Sequence, residues 1–209
     1  MYAMIAETAI LVFARAPVAG RAKTRLIPLL GARGAARAQV QLLRHSLATA
    51  AAAGPGSLQL WCTPDTTHPE LHSAATAHGA TLHAQQGVDL GARMNHAFSA
   101  ALADSPQVIL IGTDCPALSA AHLQDASARL VRGCDAVLVP AEDGGYALIG
   151  LRRAAPALFS NVDWGTDRVL DQTRQRLRLG GLHWHELETL WDIDRPADWL
   201  RLQHSGLLA

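Results

Sequence analysis

The chain has 209 residues, 49% of them hydrophobic and 17% charged, the balance of a folded globular protein and not of a disordered one. That length suits one sizeable domain over 1–209, with enough chain to bury a proper core. Lys and Arg total 18, as do Asp and Glu, so no global field draws the chain to nucleic acid or to an anionic membrane.

Cys62, Cys115 and Cys134 have neither the close pair spacing of a zinc site nor that of a thiol redox motif, which fits a reducing cytoplasm. The opening MYAMIAETAILVFARAP lacks a basic start, and its apolar run breaks at Arg15 and Pro17, against a signal peptide. No apolar run approaches the ~20 residues that span a bilayer. A cytoplasmic protein is expected.

In chain order, Thr8 to Ala14 is apolar throughout and predicts an interior strand. A loop with Pro17 and Gly20 follows, and then a helix from about Ala32 to Ala53. Ala36, Val40, Leu43 and Leu47 form its apolar stripe, and Gly54-Pro55-Gly56 stops it. Leu58 to Cys62 predicts a strand, His68 to His78 a helix ended by Gly79, and Thr81 to Ala84 a short strand. Asp89 is placed to cap a helix whose inward side holds Leu90, Met94, Ala97, Phe98, Ala101 and Leu102. Val108 to Ile111 is a fully apolar strand. Ser119 to Arg132 is a helix with Leu123, Ala126, Leu130 and Val131 inward. Ala136 to Val139 and Tyr146 to Leu151 are strands joined by the turn residues Asp143-Gly144-Gly145. Thr166 caps a helix to Leu179 with Asp167 in its first turn, Leu182 to Leu187 is a strand, and Pro196 opens a closing helix to Leu202. No repeat, low-complexity tract or linker is found; the strand-helix alternation loosens after Leu151, which predicts one α/β domain with strand-helix units first and a mixed C-terminal part afterwards.

The segment VILIGTDCP, Val108 to Pro116, is the centre of the pattern. A strand buried on both faces ends in Gly112 and Thr113, and Asp114 follows where open α/β sheets hold their ligands. On this segment alone Asp114 reads equally as a turn cap beside Pro116. Arg15, Arg21, Lys23 and Arg25 crowd the loop after the first strand, with Gly20 among them. Glycine lets backbone amides approach an anion and the cations neutralise phosphate, although the spacing is neither a P-loop nor a dinucleotide fingerprint.

Gln85 to Met94 offers Gln86 and Asp89 to a base edge, or is a plain capped loop. Asp143 with its two glycines borders an acceptor pocket beneath Tyr146, or is only a hairpin turn. In WDIDRPADW, Asp192 and Asp194 alternate along an extended segment and share one face, an oxygen-ligand pair suited to Mg²⁺ or Mn²⁺, unless one of them caps the last helix. His183 and His185 read as exposed edge residues, and neither H-E-x-x-H nor G-x-S-x-G occurs.

Six segments in this order, VFARAPVAGRAKTRL, QGVDLGARM, LIGTDCPAL, VPAEDGGYALIGL, DWGTD and DIDRPADW, resemble the rSAM/selenodomain-associated glycosyltransferase-like family of the nucleotide-diphospho-sugar transferase superfamily. They are also similar to phospholactate and molybdenum-cofactor guanylyltransferases. The resemblance implies a glycosyltransferase A-type, Rossmann-like fold with a mixed, mostly parallel central sheet flanked by helices. It implies a nucleotide diphosphate held on Mg²⁺ or Mn²⁺. Lys23 and Arg25, helped by Arg15 and the backbone near Gly20, would face phosphates. Asp114 would be the first metal ligand and Asp194, with Asp192 beside it, the second. Gln86, Gly91 and Arg93 would lie near base or ribose. Asp143, Gly144, Gly145, Tyr146, Trp164 and Thr166 would face the acceptor, with Asp143 as its base. Two departures stand out: Arg195 replaces the usual threonine, and Gly165 stands where serine is commoner.

Three activities are compatible with this pattern. One is nucleotidyl transfer from an NTP to a small phosphorylated acceptor, suggested by the basic first loop. Another is glycosyl transfer from an NDP-sugar, and the last is nucleotide binding without turnover.

Overall fold

The computed structural model describes residues 7–207; the first six residues, on which part of the expectation about a signal peptide rests, lie outside them. The aliphatic runs form seven strands: β1 (Thr8–Arg15), β2 (Ser57–Thr63), β3 (Thr81–Ala84), β4 (Gln107–Ile111), β5 (Ala136–Pro140), β6 (Tyr146–Leu151) and β7 (Trp184–Glu186). They pair in the order β3-β2-β1-β4-β6-β5-β7. Only β6 runs against its neighbours, because it returns from β5 through a hairpin; all other pairings are parallel.

Six helices cover the two faces: α1 (Ile27–Ala52), α2 (Pro69–His78), α3 (Leu90–Ala101), α4 (Ala120–Val131), α5 (Val169–Leu179) and α6 (Pro196–Ser205). Strand side chains alternate between the faces, so each central strand feeds two cores. Ile10, Val12, Ile109, Ile111, Val137 and Val139 meet Leu43, Leu47, Leu71 and Leu123 on one side. Leu11, Val108, Leu110 and Leu138 meet Met94, Phe98, Leu170 and Leu177 on the other. Each of these fully buried aliphatics contributes ~1.5–3 kcal/mol by leaving water. A third cluster joins Leu26, Ala35, Ala38 and Leu42 to Ile193, Trp199 and Leu202, and so ties the C-terminal helix to the start of α1. Among the described residues no helix is long and apolar enough to cross a membrane.

The structure corrects several local expectations. α1 begins at Ile27 and breaks at Gly31, whose φ of 66° is outside the helical region, so the predicted start at Ala32 is the second limb. Its buried stripe is Ala35, Ala38, Gln39, Leu42, Leu43, Ser46, Leu47 and Ala50, while Ala36 and Val40 lie on the flank. An alanine-rich helix gives too little contrast to fix its phase, and two polar residues sit inward. Leu90 and Val131, expected inward, are 42% and 43% exposed at helix ends. Thr166 does not cap α5, which starts at Val169; its hydroxyl instead donates to the carbonyl of Asp163 at 2.8 Å. β7 is limited to three residues. Asp198, not Asp192 or Asp194, caps α6, accepting from the amides of Asp194 and Arg195. Asp89 caps α3 as expected, accepting from Ala92 N–H at 2.7 Å.

Candidate active site

Parallel strands deliver their following loops to one edge of the sheet, and the predicted residues collect there. β4 is buried throughout and ends at Ile111; two residues later Thr113 is still buried, and Asp114 then turns out with its side chain 55% exposed. The loop after β1 is anchored by fully buried Ala22, and Lys23 follows in the left-handed region at φ 46°. That conformation turns the Lys23 side chain inward, where it is 7% exposed. A buried ammonium needs compensation. It finds Asp114 Oδ1 at 2.8 Å and donates a hydrogen bond to the carbonyl of Ile193.

The C-terminal segment is stitched to the same place. Ile193 N–H donates to the Asp114 carbonyl at 2.7 Å, Leu190 N–H to Pro140 at 2.9 Å, and Glu142 N–H to the Leu190 carbonyl at 2.9 Å. Asp192 and Asp194, expected to act as a pair, take different partners. Asp194 forms an ion pair with Arg25. Asp192 stays beside Asp143 and Asp114: burial first, then the charges of Asp143 and Asp114, push its carboxyl up to about 6, against the opposing pull of Lys23. Burial likewise pushes the neighbouring Cys115 thiol up to about 12, so it is no nucleophile at neutral pH.

Asp143 sits on the β5–β6 hairpin, exposed, with Oδ1 accepting from Gly145 N–H at 2.8 Å. The hairpin is clasped by the approach to α5. Leu170 N–H donates to the Gly144 carbonyl at 2.8 Å, and a Cβ on Gly144 would lie 2.3 Å from the Asp167 carbonyl oxygen. Gly91 plays the same part for the next loop: a Cβ there would meet Phe159 O at 2.2 Å and Trp164 Nε1 at 2.6 Å. Trp164 is half-buried and stands edge-on to Tyr146 at 6.5 Å. The Tyr146 hydroxyl is directed inward, 4.0 Å from Met94 Sδ, and burial raises its phenol above the usual range. Thr166 is exposed on the same loop.

On the opposite flank Arg93 donates to the Gly87 carbonyl at 3.1 Å and to Thr63 Oγ1 at 3.5 Å, which holds its guanidinium at the end of β2. Arg15 and Gly20 are exposed at the end of β1 and in its loop. Gln86 is exposed, whereas its neighbour Gln85 is fixed by hydrogen bonds to the carbonyls of Trp61 and Ala14 at 2.9 and 3.5 Å. Sequence reasoning passed over Gln39 and Thr113. Gln39, 3% exposed on α1, donates to Thr113 Oγ1 at 3.2 Å, and Thr113 donates to Asp114 Oδ1 at 3.2 Å. No sequence signal marked Gln39, because an alanine-rich helix does not reveal which of its faces turns inward.

Oxygen donors with an uncompensated negative balance suit a hard divalent cation. Among the described residues, no three acidic, histidine or cysteine side chains are grouped closely enough to enclose an ion alone. The arrangement fits Mg²⁺ or Mn²⁺, which take one or two carboxylates and complete their shell with phosphate oxygens and water.

The seven-stranded, mostly parallel sheet with one reversed strand has the α/β fold of nucleotidyltransferase and glycosyltransferase A-like structures. The chain belongs to the bacterial family described as "Uncharacterized protein conserved in bacteria (DUF2064)", matched over residues 46–166. It superposes on a protein of Desulfovibrio desulfuricans G20, provisionally named a nucleotide-diphospho-sugar transferase, with TM-score 0.83 and 30% identity, covering 97% of this chain and 96% of that one. CMP:2-keto-3-deoxy-manno-octonic acid synthetase, solved with CTP, matches with TM-score 0.61 and 14% identity over 95% and 97% of the two chains. A Mycobacterium tuberculosis H37Rv protein solved with manganese matches with TM-score 0.59 and 18% identity over 95% and 98%. None of the functionally curated proteins matches the chain.

Proposed function

We propose that this chain is a divalent-metal-dependent transferase of the radical-SAM-associated glycosyltransferase-like group, acting in the cytoplasm as a single domain on an NDP-sugar and a small-molecule hydroxyl acceptor. The observation that carries the reading is the Lys23–Asp114 ion pair after β4, with Ile193, the neighbour of Asp192, hydrogen-bonded to both residues. Asp114 and Asp192 would hold Mg²⁺ or Mn²⁺, which supplies Lewis-acid stabilisation of charge gathering on the diphosphate. Lys23 fixes Asp114 and lends a positive charge next to it. Arg15, Arg93 and the backbone at Gly20 and Gly91 would bind and orient the nucleotide, with Gln86 at the base.

Asp143 would take the proton of the acceptor hydroxyl. The acceptor oxygen then bonds to the anomeric carbon, and the bond from that carbon to the diphosphate breaks with its electron pair leaving on the nucleoside diphosphate. Gly144, Gly145, Tyr146, Trp164 and Thr166 would shape the acceptor side and exclude water. A diphosphate donor suits the charges on offer, since Lys23 and Arg25 are already paired with Asp114 and Asp194.

A second reading, nucleotidyl transfer from an NTP to a small phosphorylated acceptor, is favoured by Arg15 and Arg21, both exposed beside the same loop. One experiment separates them: a Mn²⁺-supplemented thermal-shift panel over NTPs and NDP-sugars, followed by product assays. Protection by NDP-sugars with nucleoside diphosphate release supports glycosyl transfer. Protection by NTPs with pyrophosphate release supports nucleotidyl transfer, and no protection by either removes both.

A further inference from the structure

Asp114 is held unevenly. Its Oδ1 receives Lys23 Nζ at 2.8 Å and Thr113 Oγ1 at 3.2 Å, whereas among the described residues no side-chain partner reaches Oδ2. The Thr113 contact has a direction built into it. A hydroxyl has one proton, and the Gln39 amide can only donate through Nε2 to Thr113 Oγ1, 3.2 Å away. That donation occupies the hydroxyl oxygen and leaves its proton for Asp114. Gln39 and Thr113 are 3% and 4% exposed, so the bond between them is shielded from water. Gln39 comes from the inward face of α1, which also sends His45 to the Pro116 carbonyl at 3.0 Å in the same loop after β4.

We infer that Gln39 and Thr113 are positioning residues for metal binding. They form a buried, polarised relay that pins one oxygen of Asp114 and presents the other to a divalent cation. The inference rests on the metal reading above and adds to it two residues that touch neither substrate nor ion. Outer hydrogen bonds of this kind orient a ligand carboxylate, and their loss weakens metal affinity by ~10–100-fold.

The test is Mn²⁺ binding to the whole chain without nucleotide, followed by electron paramagnetic resonance, with thermal unfolding measured alongside. Thr113→Val keeps the shape and removes the hydroxyl; it should weaken Mn²⁺ binding by ~10-fold or more, and Thr113→Ser should restore it. Should Thr113→Val fold poorly because the Gln39 amide loses its partner, the double variant Thr113→Val/Gln39→Leu removes both polar groups together and should show the same loss. Asp114→Asn should abolish binding. If Asp114→Asn abolishes it while the Thr113→Val or double variant binds like wild type, the relay is overturned and the metal reading stands. If Thr113→Ser binds as weakly as Thr113→Val, the hydroxyl is not the cause and the relay is likewise overturned. If Asp114→Asn binds Mn²⁺ as wild type does, the metal reading falls and the relay with it.

Discussion

Lys23 Nζ and Asp114 Oδ1 stand 2.8 Å apart, one from the loop after β1 and the other from the end of β4, with the Ile193 carbonyl as a third corner. The contact locks three distant parts of the chain around one point. Replacing Lys23 by Met leaves the Ile193 carbonyl and one Asp114 oxygen without their cation. Because Asp114 is half exposed, water recovers part of the loss, and the expected destabilisation is ~1–3 kcal/mol. Hydrogen exchange should quicken over residues 190–207, which would be read by mass spectrometry; unchanged exchange there would mean that Lys23 does not hold the segment.

Gly91 tests the packing of the loop that carries Phe159 and Trp164. A methyl group at this position would sit 2.2 Å from Phe159 O and 2.6 Å from Trp164 Nε1, and the first of these is backbone that cannot swing away. Gly91→Ala should therefore cost ~1–3 kcal/mol in chemical denaturation and change the near-ultraviolet circular dichroism of Trp164. Gly20→Ala, which meets no neighbour within 4 Å but keeps a φ of 80°, should cost ~1 kcal/mol through backbone strain alone.

Asp192 predicts a pH dependence with a definite sign. Its carboxyl is raised from 3.8 to about 6 by burial, Asp143 and Asp114. Between those values the folded chain keeps a proton that the unfolded chain releases, so this group lowers stability as pH rises through the window. In chelator, Asp192→Asn should melt at a higher temperature than wild type at pH 8, and the gap should close as pH falls below 4. A gap independent of pH would contradict the raised Asp192 carboxyl.

Glu186 predicts the opposite slope. It accepts from Arg174 Nε at 2.9 Å and Nη2 at 2.7 Å, and the guanidinium holds its carboxyl below the usual range. This stabilisation is present above the unfolded pKa and is lost as pH falls through the folded one. Glu186→Gln should cost ~1–2 kcal/mol at pH 7 and progressively less in acid, since the pair is only partly buried. Urea denaturation across pH would read it.

The sheet was readable in the sequence because its central strands are fully apolar and bounded by turn residues, as in Val108 to Ile111 and Ala136 to Val139. Helix phase was not readable in α1, where alanine fills inward and outward positions alike and Gln39 faces the core. The site was readable as a set of segments but not as a set of partners. Asp192 and Asp194 have the same residue type two positions apart, and only the fold sends one to Asp114 and Asp143 and the other to Arg25. Gln39 carries no motif; its relation to Thr113 exists only once α1 is packed beside the loop that follows β4.

The central claim is that Asp114 gathers a divalent ion and a nucleotide diphosphate at the ligand edge of the sheet. Calorimetric titration of an NDP-sugar and an NTP into the whole chain, with Mn²⁺ and in chelator, tests it most directly when repeated on Asp114→Asn. Nucleotide binding that requires Mn²⁺ in the wild type and disappears in the variant is the predicted result. Nucleotide binding of equal strength in chelator, or in Asp114→Asn, would contradict it.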